Sequence, residues 1–220
     1  MTKSLLEKIA ELDTAIAAQE KMRGNLDDAI LETILSTLRA QRLTLEQQMA
    51  ARQQRRMVTI LFADVSGYTA MSERMDPEEV TLLMNRIWDR LDRVILDGGG
   101  EIDKHLGDGV MALWGADEAR EDNPERAVQA ALAIQRELSG FCRENDIFLS
   151  MRIGINTGTA IVGEIGSLAE RTVIGDAVNV ASRLEKAAPP NGVLISHDTF
   201  RHVRGIFDIE VCPPLDLKGK

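Results

Sequence analysis

The sequence predicts an α+β fold: a β-α-β-β-α-β core with an antiparallel sheet, further α and β elements after it, and a helical leader in front. Residues 1–55 contain no proline, one glycine and no aromatic residue, and their apolar positions recur at helical spacing. From Arg56 onward short apolar runs alternate with amphipathic stretches. Glycine and proline clusters fall between those runs and mark their ends.

The leader reads as two helices, about residues 3–23 and 26–55. Leu5, Ile9, Leu12 and Ile16 mark the first. Gly24-Asn25 breaks the pattern, with Asn25 as the expected cap and Asp28 three residues on. Ile30, Ile34, Leu38, Leu45 and Met49 mark the second. Both an antiparallel hairpin and one kinked coiled coil fit. A stripe this narrow needs a partner to bury it, which favours a dimerisation element over a solvated linker.

Val58–Ala63 reads as a buried strand. Asp76-Pro77-Glu78-Glu79 opens a helix to Leu96, with a cap, a proline in the first turn and acidic residues near the positive end. Gly98-Gly99-Gly100 stops it. Glu101–Leu106 and Val110–Trp114 flank Gly107-Asp108-Gly109 as a hairpin. Asp122-Asn123-Pro124-Glu125 opens a helix to about Asn145. Phe148–Thr157 and Ile161–Ile165 read as strands on either side of Gly158, residues 177–187 as a helix, and Val193–Ser196 and Phe207–Val211 as two more strands. This order is the ferredoxin-like plan.

The chain of 220 residues is 44% apolar, enough for a core-bearing domain. A formal net charge of −9 disfavours a nucleic-acid surface, which is ordinarily basic. It does not disfavour a nucleotide accompanied by divalent cations. Cys142 and Cys212 have no metal-ligand spacing and are expected to be reduced, buried thiols. No apolar run is long enough to cross a bilayer, and the first residues lack the apolar centre of a signal peptide, so a cytoplasmic protein is expected.

Two carboxylates carry the chemistry. Asp64 ends the apolar run Met57-Val58-Thr59-Ile60-Leu61-Phe62-Ala63, and Asp108 sits in the hairpin turn. Each alone is explained by turn chemistry. Brought together on adjacent strands, they would suit hard cations against a polyphosphate. Gly67 lets the backbone after Asp64 approach a phosphate closely. Lys104 is either a rim residue with its head in water or a specificity contact. Asn179 and Arg183 share a helix face, which is either plain solvated surface or a ribose and phosphate contact. Lys218 and Lys220 form either a basic tail or a triphosphate clamp.

Four motifs occur in order: Phe62-Ala63-Asp64-Val65-Ser66-Gly67-Tyr68-Thr69, Asp103 to Ala112, Arg152-Ile153-Gly154-Ile155-Asn156-Thr157-Gly158, and Thr172 to Leu184. Over residues 56–220 the chain resembles the class III nucleotidyl cyclase catalytic domain. The resemblance implies an adenylate cyclase in which Asp64, Asp108 and the Val65 carbonyl hold two Mg²⁺ or Mn²⁺ ions. Lys104 and Thr172 would read the adenine of ATP, Thr172 standing where many relatives have Asp. Asn179 would orient the ribose, Arg183 would stabilise the transition state, and Lys218 would contact the triphosphate. It also implies a homodimer with two sites, each taking its metal-binding residues from one chain and its base-reading residues from the other. His105 receives no role. Arg171 stands where an aromatic residue is common. The family domain continues past Lys220, so a piece of a longer protein with further domains is expected. The competing readings are a guanylate or promiscuous cyclase and a catalytically silent nucleotide-sensing dimerisation module.

Overall fold

The structure, a computed structural model, describes residues 5–24, 27–52, 54–67, 75–165 and 170–213. The chain divides into two compact units, one of residues 1–55 with 161–172, the other of 56–160 with 173–220.

In the first unit, α1 (Leu5–Glu20) and α2 (Asp28–Arg52) pack against each other as an antiparallel hairpin, which decides between the two arrangements the sequence allowed. The pairs Arg39–Glu20 at 2.8 Å and Arg42–Asp13 at 2.6 Å run in opposite chain directions, as antiparallel helices require. The apolar face of α2 is centred one residue later than expected: Leu31 and Leu35 are fully buried and Ile30 is exposed. Asp27 begins α2, its carboxylate accepting from the amides of Ala29 and Ile30. The expected cap, Asn25, lies outside the described residues.

The second unit holds most of β1 (Gln54–Ser66), then α3 (Pro77–Asp97), β2 (Glu101–Leu106), β3 (Gly109–Trp114), α4 (Asn123–Asn145) and β4 (Ser150–Ile165) as far as Ala160, in the expected β-α-β-β-α-β order. The sheet runs β2-β3-β1-β4, then β5 (Glu170–Ile174) at the edge, with β6 (Val193–Ile195) parallel to β4. β1 and β2 both flank β3 antiparallel. α5 (Asp176–Ala187) and α6 (His197–Val203) complete the unit.

Side-chain alternation places Leu61, Ala63, Val65, Val110, Ala112 and Trp114 in one core with α3 and α4. On α3 the buried positions Val80, Leu83, Met84, Ile87, Leu91 and Ile95 form one stripe. Pro77 opens the helix as expected, although Asp76 makes no side-chain capping bond. Trp114 Nε1 donates to the Gly98 carbonyl at 3.1 Å, pinning the end of β3 to the α3 terminus. The other sheet face carries Phe62 and Asp64 on β1 and Met111 on β3.

Several expectations are corrected. β4 does not break at Gly158 but runs through it. Gly158 is glycine because a Cβ there would lie 3.1 Å from the Ala177 Cβ, so it admits α5 rather than ending the strand. The expected strand at Phe207–Val211 is irregular: Phe207 and Ile209 pack on the core, with no ladder partner among the described residues. Cys212 is exposed and Cys142 half-buried; both are free thiols.

At Gly154 on β4, an added Cβ would overlap the Glu185 amide nitrogen and the Ala181 carbonyl oxygen of α5. These are backbone atoms and cannot swing aside. Gly154→Ala is therefore expected to destabilise by about 3 kcal/mol, the upper end of overpacking costs. A denaturant titration checks this, and an unchanged midpoint would refute the backbone contact.

Candidate active site

Asp64 lies near the end of β1 opposite Gly109 of β3, and Asp108 lies in the β2–β3 turn. The Val65 amide donates to the Asp108 carbonyl at 3.1 Å, which fixes the turn against the strand end. Gly107 takes a left-handed conformation at φ +67°, and a Cβ at Gly109 would lie 2.9 Å from the Ala63 carbonyl oxygen. The turn thus closes tightly enough for the two carboxyl groups to meet. Burial, then the Asp108 charge, raises the proton affinity of Asp64, with a carboxyl–carboxyl hydrogen bond to Asp108 adding to the rise. Arg152 and Lys186 oppose it. A pair of hard oxygen donors with an excess of negative charge is the chemistry that suits a divalent cation. Among the described residues, no group of three or more His, Cys, Asp or Glu side chains forms a metal cluster.

Three further charged residues surround the pair. Arg152 on β4 has a buried Nε with no partner among the described residues. Glu185 on α5 is buried, and that burial, followed by the charge of Asp64, raises its proton affinity. Lys186 follows it. Sequence reasoning assigned none of these. The signal for Arg152 was an ionisable residue inside the apolar run Met151-Arg152-Ile153-Gly154-Ile155. Glu185 gave none, because the close approach of α5 to Gly154 creates its burial.

Lys104 reaches the Asp64 face of the sheet through a break in register. Ile102 pairs with Ala112, yet Lys104 pairs with Met111, leaving Asp103 as an extra residue in β2. Regular pairing would have set Lys104 opposite Val110, on the helix-covered face. His105 takes that position instead: its Nε2 lies 3.2 Å from an Asp92 carboxylate oxygen, and its ring meets Trp88 edge-on at 4.9 Å. Its contacts are with α3, consistent with its having received no role.

Asn179 and Arg183 stand one turn apart on α5, Asn179 exposed and Arg183 half-buried. The buried face of that helix is Ala177, Ala181, Leu184 and Glu185. Arg152 and Lys186 are cations that act on Asp64. Gly67 follows β1 at φ +98°, and a Cβ there would lie 3.3 Å from the Phe148 carbonyl oxygen. Thr172 is half-buried on β5. Lys218 and Lys220 lie outside the described residues, as does the side chain of Arg171. No described helix is long and apolar enough to cross a membrane.

Residues 50–220 match the family described as the adenylate and guanylate cyclase catalytic domain. An adenylate cyclase of Anabaena cylindrica is 38% identical over 160 residues, covering 67% of this chain and 31% of that protein. The chain spans less than a third of the length of the curated relatives it matches first. Among solved structures, the adenylyl cyclase CyaB from P. aeruginosa superposes with a TM-score of 0.68 at 32% identity, covering 70% of this chain and 83% of that one. The guanylyl cyclase Cya2 superposes with a TM-score of 0.71 at 33% identity, covering 76% and 88%. With its β-α-β-β-α-β core and its paired strand-end aspartates, the chain belongs to the adenylate and guanylate cyclase catalytic domain family.

Proposed function

We propose that the chain is the catalytic part of a cytoplasmic adenylate cyclase, converting ATP to 3′,5′-cyclic AMP and pyrophosphate in a homodimer. The observation that carries this is the Asp64–Asp108 pair on the same sheet face as Lys104. Asp64, Asp108 and the Val65 carbonyl fit two Mg²⁺ or Mn²⁺ ions per site, hard cations with oxygen ligands. When bound, such ions lower the proton affinity of the attacking 3′-hydroxyl and neutralise charge on the phosphoryl group.

The chain's own groups do the rest. Arg152 would donate its buried Nε, which has no partner among the described residues, to the polyphosphate, and Gly67 would let the backbone approach it. Lys218 would bind the same triphosphate. Asn179 would hold the ribose and Arg183 would meet the charge that grows in the transition state. Both lie off the buried face of their helix, which is Ala177, Ala181, Leu184 and Glu185. This favours their serving the aspartates of a second copy. Lys104 and Thr172 would read the base. An ammonium group only donates, so it suits adenine N1, an acceptor, better than guanine N1–H, a donor.

Residues 1–55 would act as a leader that sets the geometry of the catalytic pair. Removing residues 1–50 is then expected to change specific activity; equal activity at every protein concentration would remove the leader from the mechanism.

The direct test incubates the purified chain with Mn²⁺ and either ATP or GTP. Cyclic AMP with little cyclic GTP is the expected outcome. Preferential cyclic GTP would assign a guanylate cyclase, and bound ATP without product would assign a nucleotide-sensing module.

A further inference from the structure

We propose that Asp103 is a specificity-determining positioning residue, acting on the nucleobase through Lys104; this rests on the reading of Lys104 as the base-contacting group. The extra residue in β2 has two consequences. It turns Lys104 to the face that carries Asp64, and it makes Asp103 the extra residue between the Ile102 and Lys104 positions of the ladder. Neighbouring residues at such a bulge project to similar sides rather than alternating. The Asp103 carboxylate accordingly lies 3.2 Å from Lys104 Nζ.

The two members of that pair have unequal environments. The Asp103 side chain is 2% exposed, whereas that of Lys104 is 42% exposed. A buried carboxylate on a strand is a fixed point, and a lysine on its four-carbon stem is not. Tethering the ammonium to the fixed partner removes rotamer freedom before the substrate arrives and leaves the other N–H donors free for a base. A lysine held in one direction can discriminate between an acceptor and a donor on the ring edge. A loose lysine can swing to whichever acceptor is present, the guanine O6 included. The His105–Asp92 contact on the opposite face fixes the same segment of β2 to α3, so the bulge cannot easily slip.

The test measures kcat/KM for ATP and for GTP in the full chain, in Asp103→Asn, in Lys104→Ala and in the double variant. Calorimetric affinities for both nucleotides with Ca²⁺ give the same ratio independently of turnover. Asp103→Asn keeps the side-chain shape and removes the charge. It is expected to lower the ATP-to-GTP ratio by about tenfold, the scale of ordering one long side chain. The ATP-to-GTP ratio of the double variant should fall no further than that of Lys104→Ala, because Asp103 acts on the base through Lys104. Equal losses on both nucleotides with a lower melting temperature would make Asp103 merely structural and overturn the proposal. So would a lowered ratio in Lys104→Ala beside an unchanged one in Asp103→Asn, with the base-reading role of Lys104 left standing. An unchanged ratio in Lys104→Ala would instead remove that role and this inference together.

Discussion

Asp64→Asn is expected to reduce cyclase turnover by at least about a thousandfold, several kcal/mol of lost metal-assisted stabilisation, and to raise the melting temperature of the metal-free protein. The two effects have one origin. Burial and the neighbouring Asp108 charge make the ionised Asp64 carboxylate unfavourable in the folded chain. A group whose proton affinity is raised on folding adds stability at pH below its unfolded titration, and that contribution is lost as pH rises through the folded one. At neutral pH the ionised Asp64 is therefore a net cost, and the neutral amide removes it. Because the carboxyl is only partly buried, solvent screening discounts the gain to about 1 kcal/mol or less, or roughly 2 °C for a chain of this size. The gain should shrink as the pH is lowered, since wild-type Asp64 then binds its proton. Thermal melts at several pH values in chelator check this. Adding Mn²⁺ should reverse the order, raising the wild-type midpoint by mass action and leaving the variant unmoved. A variant less stable than wild type at neutral pH without metal would show that the aspartate pair does not store this repulsion.

Much of this site is legible in the sequence because its parts are local. Asp64 and Asp108 each sit at the end of a recognisable apolar run, and the Gly107-Asp108-Gly109 turn fixes how those runs pair. The α3 stripe from Val80 to Ile95 is periodic enough to define the helix and its buried face at once. What escaped depends on contacts distant in sequence. Gly158 looks like a strand breaker until Ala177 is seen against it. Glu185 looks like a surface residue of a charged helix until α5 is laid on Gly154. The five residues of β5 and the seven of α6 are too short for periodicity to identify. The alternation at Phe207–Val211 was real, but it records packing on the core and no ladder. The bulge at Asp103 carries no composition signal at all. It shows only in the register, and without it the same residues would turn Lys104 toward the helices.

Mixing two inactive variants is expected to restore activity if a second copy completes the site. Arg183→Ala alone should cost a hundredfold to about a thousandfold in kcat, the range for removing one preorganised donor from a developing anion. Asp64→Asn removes metal binding instead. In a homodimer of either variant, both sites carry the defect. In a mixed dimer, one site joins the intact Asp64 of the arginine variant to the intact Arg183 of the aspartate variant, while the other collects both lesions. Random pairing in a two-fold dimer then yields roughly a quarter of wild-type activity from two preparations that are each nearly silent. The α5 geometry motivates the experiment, since Asn179 and Arg183 lie off the buried face of that helix, which is Ala177, Ala181, Leu184 and Glu185. Recovery should rise with protein concentration as dimers form and exchange. No recovery at concentrations where sedimentation shows mixed dimers would mean that each chain builds its own site, and Arg183 would lose its assignment to the partner's aspartates.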